Sequence, residues 1–200
     1  QRRSTFEILF IWNYTRMETI FSLKSLDGDL RKSFGKYKGD LKPGIYFEPT
    51  LHQIEGLKDI YSLIKDLRSK DETFCFIRGN PNEQRLWGNS WRRKKIDSGD
   101  GFYTIDESKS WAMFDIDDIE MREDEEHNAQ ILRKRIAEEI DFLEEDTEMI
   151  IDFSSSAQLS RKGEKHKRVW KAHVYVWFEE TITCRDLHMR LGNYEGLIDK

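Results

Sequence analysis

Asp115 and Asp117 flank an isoleucine in the run Trp111-Ala112-Met113-Phe114-Asp115-Ile116-Asp117-Asp118. On a β-strand, side chains alternate between faces, so this spacing predicts Asp115 and Asp117 on one face and Phe114 and Ile116 on the other. Two carboxylates one strand repeat apart are hard oxygen donors that suit Mg²⁺ or Mn²⁺, as phosphoryl-transfer sites require. Asp118 falls on the opposite face and outside the pair. Ser154-Ser155-Ser156 opens a polar, basic loop that includes Arg161 and runs through Arg168; hydroxyls and cations off a strand end are donors to phosphate oxygens. His173 follows on an alternating stretch whose polar face also carries Lys171, Tyr175 and Trp177, and a protonated imidazole can donate to a triphosphate. Leu197-Ile198-Asp199 then adds a third acid after an apolar pair. Taken singly, each pattern also fits a solvated strand end or a surface loop.

The elements that must position these groups read as follows. The acids need a strand over Trp111 to Asp118. Ala172, Val174, Val176 and Phe178 give the histidine strand, Trp170 to Phe178, a core face. Met149 to Phe153 reads as the strand that leads into the serine loop. A helix from about Asp124 to Glu145 carries Ala129, Leu132, Ile136, Ile140 and Leu143 on one face. Thr183 with Asp186 marks another helix start, with Leu187, Leu191 and Tyr194 on one side and Gly196 as its break. Upstream, Thr50 with Gln53 predicts a capping box before a helix whose stripe is Ile54, Leu57, Tyr61 and Ile64. Phe74 to Ile77 reads as a buried strand closed by Arg78-Gly79-Asn80-Pro81, and an arginine at a strand end can reach a phosphate. Residues 82 to 110 read as irregular. There Trp87 and Trp91 stand beside Arg92, Arg93, Lys94 and Lys95, a combination that can stack bases and neutralise the phosphates of a single strand.

Composition narrows the class. Two hundred residues with 38% hydrophobic content can bury a core, as one domain or two packed lobes. The net charge of -5 argues against coating nucleic acid by bulk electrostatics. The charge is segregated instead: Asp115 to Glu148 holds fifteen acids against four Lys and Arg, whereas Arg161 to Lys171 holds six Lys and Arg against one acid. That division suits a polyanion bound locally beside a metal site. Cys75 and Cys184 are too few for a disulfide framework or a four-cysteine zinc site, so no structural zinc is expected. No apolar run is long enough to cross a bilayer and no signal-peptide pattern is present, so the expectation is an intracellular (cytoplasmic) protein without membrane partners. The chain starts at Gln1 and stops at Lys200 just after an apolar pair, a pattern expected of a piece of a longer protein, cut at the C-terminus.

The ordered set of Asp115-Ile116-Asp117, the serine loop, the strand Ala172-His173-Val174-Tyr175-Val176-Trp177-Phe178 and the apolar-flanked Asp199 resembles the archaeo-eukaryotic primase superfamily. The likeness is to the primase-polymerase domains of plasmid and phage replication proteins. Asp27 to Ser33, Phe76 to Gly79 and Trp91 to Arg93 resemble upstream elements of that branch. The resemblance covers 17–200 as the catalytic domain and leaves 1–16 unplaced. Lys171 departs from it, since many members carry a small or hydroxyl residue two before the histidine, while Ala172 stands at a position that varies among them.

The resemblance implies an α+β fold: an antiparallel sheet of the RNA-recognition-motif type backed by helices, joined to an N-terminal α/β lobe. It implies template-directed nucleotidyl transfer on single-stranded DNA, that is, primer synthesis or extension from nucleoside triphosphates. Asp115, Asp117 and Asp199 would hold Mg²⁺ or Mn²⁺. His173 would contact the phosphates of the incoming nucleotide, with Ser154, Ser155, Ser156, Arg161 and Lys171 as further candidates. Arg78, Trp91, Arg92, Arg93, Lys94 and Lys95 are candidates for nucleic acid. A C-terminal helicase or accessory domain is the expected covalent partner. Two other readings use the same residues: a metal-dependent nuclease, and a non-catalytic nucleic-acid-binding module of the same fold.

Overall fold

The computed structural model describes residues 17–26, 46–70, 74–81, 91–92, 104–105, 107–153, 168–191 and 198–199. In chain order these form β1 (Glu18–Ser25), β2 (Tyr46–Ile54), α1 (Leu57–Ser69), β3 (Phe74–Ile77), β4 (Asn80–Pro81), β5 (Trp91–Arg92) and β6 (Thr104–Ile105). They continue as β7 (Lys109–Glu120), α2 (Ala129–Glu139), β8 (Met149–Phe153), β9 (Val169–Ile182), α3 (Cys184–Leu191) and β10 (Ile198–Asp199). The fold is α+β with antiparallel sheets. One sheet has the order β3-β1-β2-β5, a second has β10-β7-β9-β8, and β4 pairs with β6. In the second sheet the order β-α-β-β-α-β along the chain places the first and third of its strands at the centre, which is split-βαβ connectivity.

Strand alternation explains the layers. Ala112, Phe114 and Ile116 of β7 and Ala172, Val174 and Val176 of β9 are buried on one face of the second sheet. Leu132 and Ile136 of α2 and Leu187 and Leu191 of α3 cover that face. Burying each such leucine or isoleucine contributes about 1.5–3 kcal/mol, so this face is the main anchor of both helices. The opposite face presents Trp111 and Tyr175, which pack with Ile20, Ile54, Leu57, Ile60 and Ile64 of the first sheet and α1. Polar bonds add to that joint. Trp111 Nε1 donates to the Thr19 carbonyl at 3.2 Å, and the buried Glu18 carboxylate accepts from the Ser110 backbone N–H at 3.2 Å and the Ser110 hydroxyl at 3.0 Å.

Two helix expectations are corrected. Thr50 and Gln53 form no cap, because both belong to β2 and stand opposite Ser22 and Thr19 of β1. α1 starts only after Gly56, and its buried positions are Leu57, Ile60, Ile64 and Leu67; Tyr61 is half exposed. The helix expected from Asp124 to Glu145 spans Ala129–Glu139, capped by Asn128, whose side chain accepts from the Gln130 N–H at 2.7 Å. Ahead of it the chain turns so that Glu125 is buried, taking the Arg122 N–H at 2.8 Å and the Trp170 indole N–H at 3.1 Å, with Arg135 Nε at 3.2 Å. A helix through Glu125 could not make that turn. The region read as irregular contains β5, β6 and the first two residues of β7. Among the described residues no helix is long and apolar enough to cross a membrane.

Candidate functional site

The register of the second sheet lines up four chemistry-bearing positions in one row. Asp115 of β7 pairs with Asp199 of β10 on one side and with His173 of β9 on the other; His173 in turn pairs with Asp152 of β8. Directly opposed residues in an antiparallel pair have Cβ atoms about 4.5–5.5 Å apart, close enough for side chains to share one ligand. His173 Nε2 lies 3.7 Å from Asp115 Oδ1, and the two side chains are 43% and 44% exposed, so the pair stands open to a ligand while its strands are buried on the other face.

The strand bearing the acids is not regular. Ile116 pairs with Ala172 and Ile119 with Trp170, so Asp117 and Asp118 together oppose the single residue Lys171: a β-bulge. Ile116 and Ile119 are both buried in the same core, although three residues apart, and the extra residue makes this fit. The expected uniform alternation through Asp118 therefore stops at Ile116. The side chains of Asp117, Asp118 and Asp199 lie outside the described residues, as do Ser154, Ser155, Ser156, Arg161, Arg93, Lys94 and Lys95 entirely. Lys171 sits on β9 beside the bulge. Trp91 and Arg92 form β5, at the edge of the first sheet opposite Phe47 and Tyr46, with side chains outside the described set.

Arg78 is placed differently from the expectation of a phosphate contact. Its Nε donates to the Trp111 carbonyl at 2.7 Å, its Nη2 to the carbonyls of Lys109, at 3.2 Å, and Ile182, and its Nη1 to Cys184 Sγ at 2.9 Å. The guanidinium thus straps the end of β3 to β7, β9 and the start of α3. Its donors are spent inside the chain.

One residue the sequence did not single out, Asp152, joins the row, and Tyr175 lies next to it. Asp152 sits beside His173, and its carboxylate accepts from Arg68 Nη2 of α1 at 2.8 Å and 2.6 Å. Tyr175, two residues from His173 on the same face, is buried, and burial first, then the Asp152 and Asp115 carboxylates, hold its phenol well above its ordinary value, with Arg68 pulling the other way. Asp115 and Asp152 flank His173 in the ladder, and Arg68 joins them through Asp152. Asp152 alternates with Ile151 and Phe153 as Asp115 does with Phe114 and Ile116; that spacing was its only signal.

The donor chemistry fits a hard divalent cation, with carboxylates at Asp115 and, by register, at Asp199. Among the described residues, no three His, Cys, Asp or Glu side chains converge as a metal cluster. No protein-family model, curated protein or solved structure matches the chain.

Proposed function

We propose that the chain is the catalytic domain of a primase-polymerase of the archaeo-eukaryotic primase type, joining nucleotides on a single-stranded DNA template. The observation that supports this reading best is the cross-strand row Asp199, Asp115, His173, Asp152 on a split-βαβ sheet. Asp115, Asp117 and Asp199 would hold Mg²⁺ or Mn²⁺, which supplies neutralisation of the triphosphate and activation of a 3′-hydroxyl. His173, open to solvent and next to Asp115, donates to the nucleotide phosphates. In-line displacement asks for positioning and charge neutralisation, not a covalent nucleophile, and a rigid sheet row serves both. The core beneath it, Phe114, Ile116, Ala172 and Val174, fixes the strands that carry the acids and the histidine.

Primer synthesis and extension on single-stranded DNA with Mn²⁺ tests this. Replacing Asp115 and Asp117 together by Ala is expected to lower activity on the order of a hundredfold or more. Activity that survives the double replacement sinks the assignment. Cleavage of DNA without added nucleotides would instead identify a nuclease.

A further inference from the structure

Arg68 raises a question that its ion pair alone does not answer. Only Nη2 of its guanidinium is engaged, and it bonds both oxygens of Asp152. Among the described residues the other two nitrogens bond nothing. The Arg68 side chain is 57% exposed, whereas that of Asp152 is 13% exposed. A surface ion pair of this kind contributes little to stability, on the order of 0–1 kcal/mol. It does fix the direction of a flexible cation: Asp152 is held in β8 by the ladder to β9, so the guanidinium is pinned at the end of the row that contains His173 and Asp115.

An anion at that place would meet carboxylates unless a cation is presented to it. Arg68 is a cation paired to the row through Asp152, and its free nitrogens form part of a fork that matches phosphate oxygens. Holding the side chain in advance removes part of the ordering cost of binding. The carboxylates of the row supply acceptors, not donors, so a phosphate bound beside His173 needs cations from another element; α1 supplies one.

We infer that Arg68 is a phosphate-binding residue of this site, presented from α1 by Asp152 next to His173. The inference rests on the nucleotidyl-transfer reading for the location of its ligand. The ligand is a phosphate oxyanion, either of a nucleoside triphosphate or of the DNA backbone.

The experiment measures binding of a non-hydrolysable nucleoside triphosphate with Mn²⁺ by calorimetry and of a labelled single-stranded oligonucleotide by anisotropy. The chains are the wild type, Arg68→Ala, Arg68→Lys and the double variant Arg68→Ala/Asp152→Asn, which leaves no unpaired carboxylate if Arg68→Ala alone folds poorly. Loss of one charge-assisted contact is expected to weaken binding about tenfold or more, with Arg68→Lys recovering only part because an ammonium is not a fork. A loss confined to the triphosphate assigns Arg68 to the nucleotide; a loss confined to the oligonucleotide, with a shallower salt dependence, assigns it to the backbone; loss in both assigns it to both. Wild-type affinity for both ligands in the folded variants overturns the inference alone. A wild-type chain that binds neither ligand overturns the inference together with the reading beneath it.

Discussion

Asp115 and His173 are direct cross-strand partners, with His173 Nε2 3.7 Å from Asp115 Oδ1. Their strands are the two central ones of the second sheet, buried on the face that α2 and α3 cover. An open polar pair on a rigid, half-buried scaffold is how a sheet presents chemistry: the apolar alternates fix the backbone, and the polar ones meet the ligand. The bulge begins two residues further along β7, after Ile116, at Asp117 and Asp118.

That bulge is expected to be separable from stability. Deleting Asp118 leaves Ile116 and Ile119 two positions apart, so regular alternation keeps both on the core face that the bulge now maintains. Secondary structure and thermal midpoint are expected to stay close to wild type while primer synthesis is lost, because the strand carrying Asp117 is re-aimed. Circular dichroism and thermal unfolding read the first effect, a primer assay the second. Full activity in the deletion variant would show that the bulge does not position the acids.

Arg78 tests the strap against the phosphate contact expected of it. Arg78→Ala orphans acceptors on β7 and β9 and is expected to cost about 2–3 kcal/mol in urea unfolding. Arg78→Lys should recover little, since one ammonium cannot span the carbonyls of Trp111, Lys109 and Ile182 and the sulfur of Cys184. Oligonucleotide affinity per folded molecule is expected to be unchanged. A fall in that affinity with undiminished stability would return Arg78 to the binding surface.

The parts legible in the sequence were short apolar runs and stretches with a two-residue period. Phe74 to Ile77, Met149 to Phe153 and the alternation around His173 all became strands, though Phe74 to Ile77 is a half-buried edge strand and not the buried one expected, and Asp115 and His173 came out on the polar face. What was not legible depended on contacts between distant segments. The stripe Leu132, Ile136, Ile140 and Leu143 runs past the end of α2, since Ile140 and Leu143 are buried from non-helical backbone, so periodicity could not mark that end. Ile116 and Ile119, three apart in a strand, carried the trace of the bulge. Nothing local in Arg78 or Arg68 distinguishes a four-way strap from an open ion pair; the fold decides between them.

His52 gives the fold a pH dependence of known sign. Its Nε2 lies 2.7 Å from the Ser22 hydroxyl between the first sheet and α1, and burial, aided by the Lys70 charge and opposed by Asp66, lowers its pKa below 6.5. Between that lowered value and 6.5 the unfolded chain binds a proton that the native chain refuses, so stability is full above 6.5 and falls as the pH drops through this window. Urea unfolding of wild type and His52→Gln at about pH 7.5 and about pH 5 reads the effect as a difference between the chains, because carboxylates add the same acid slope to both. The variant is expected to lose less stability on acidification than the wild type. Equal losses would mean that His52 takes up its proton as readily in the folded chain as in the unfolded one.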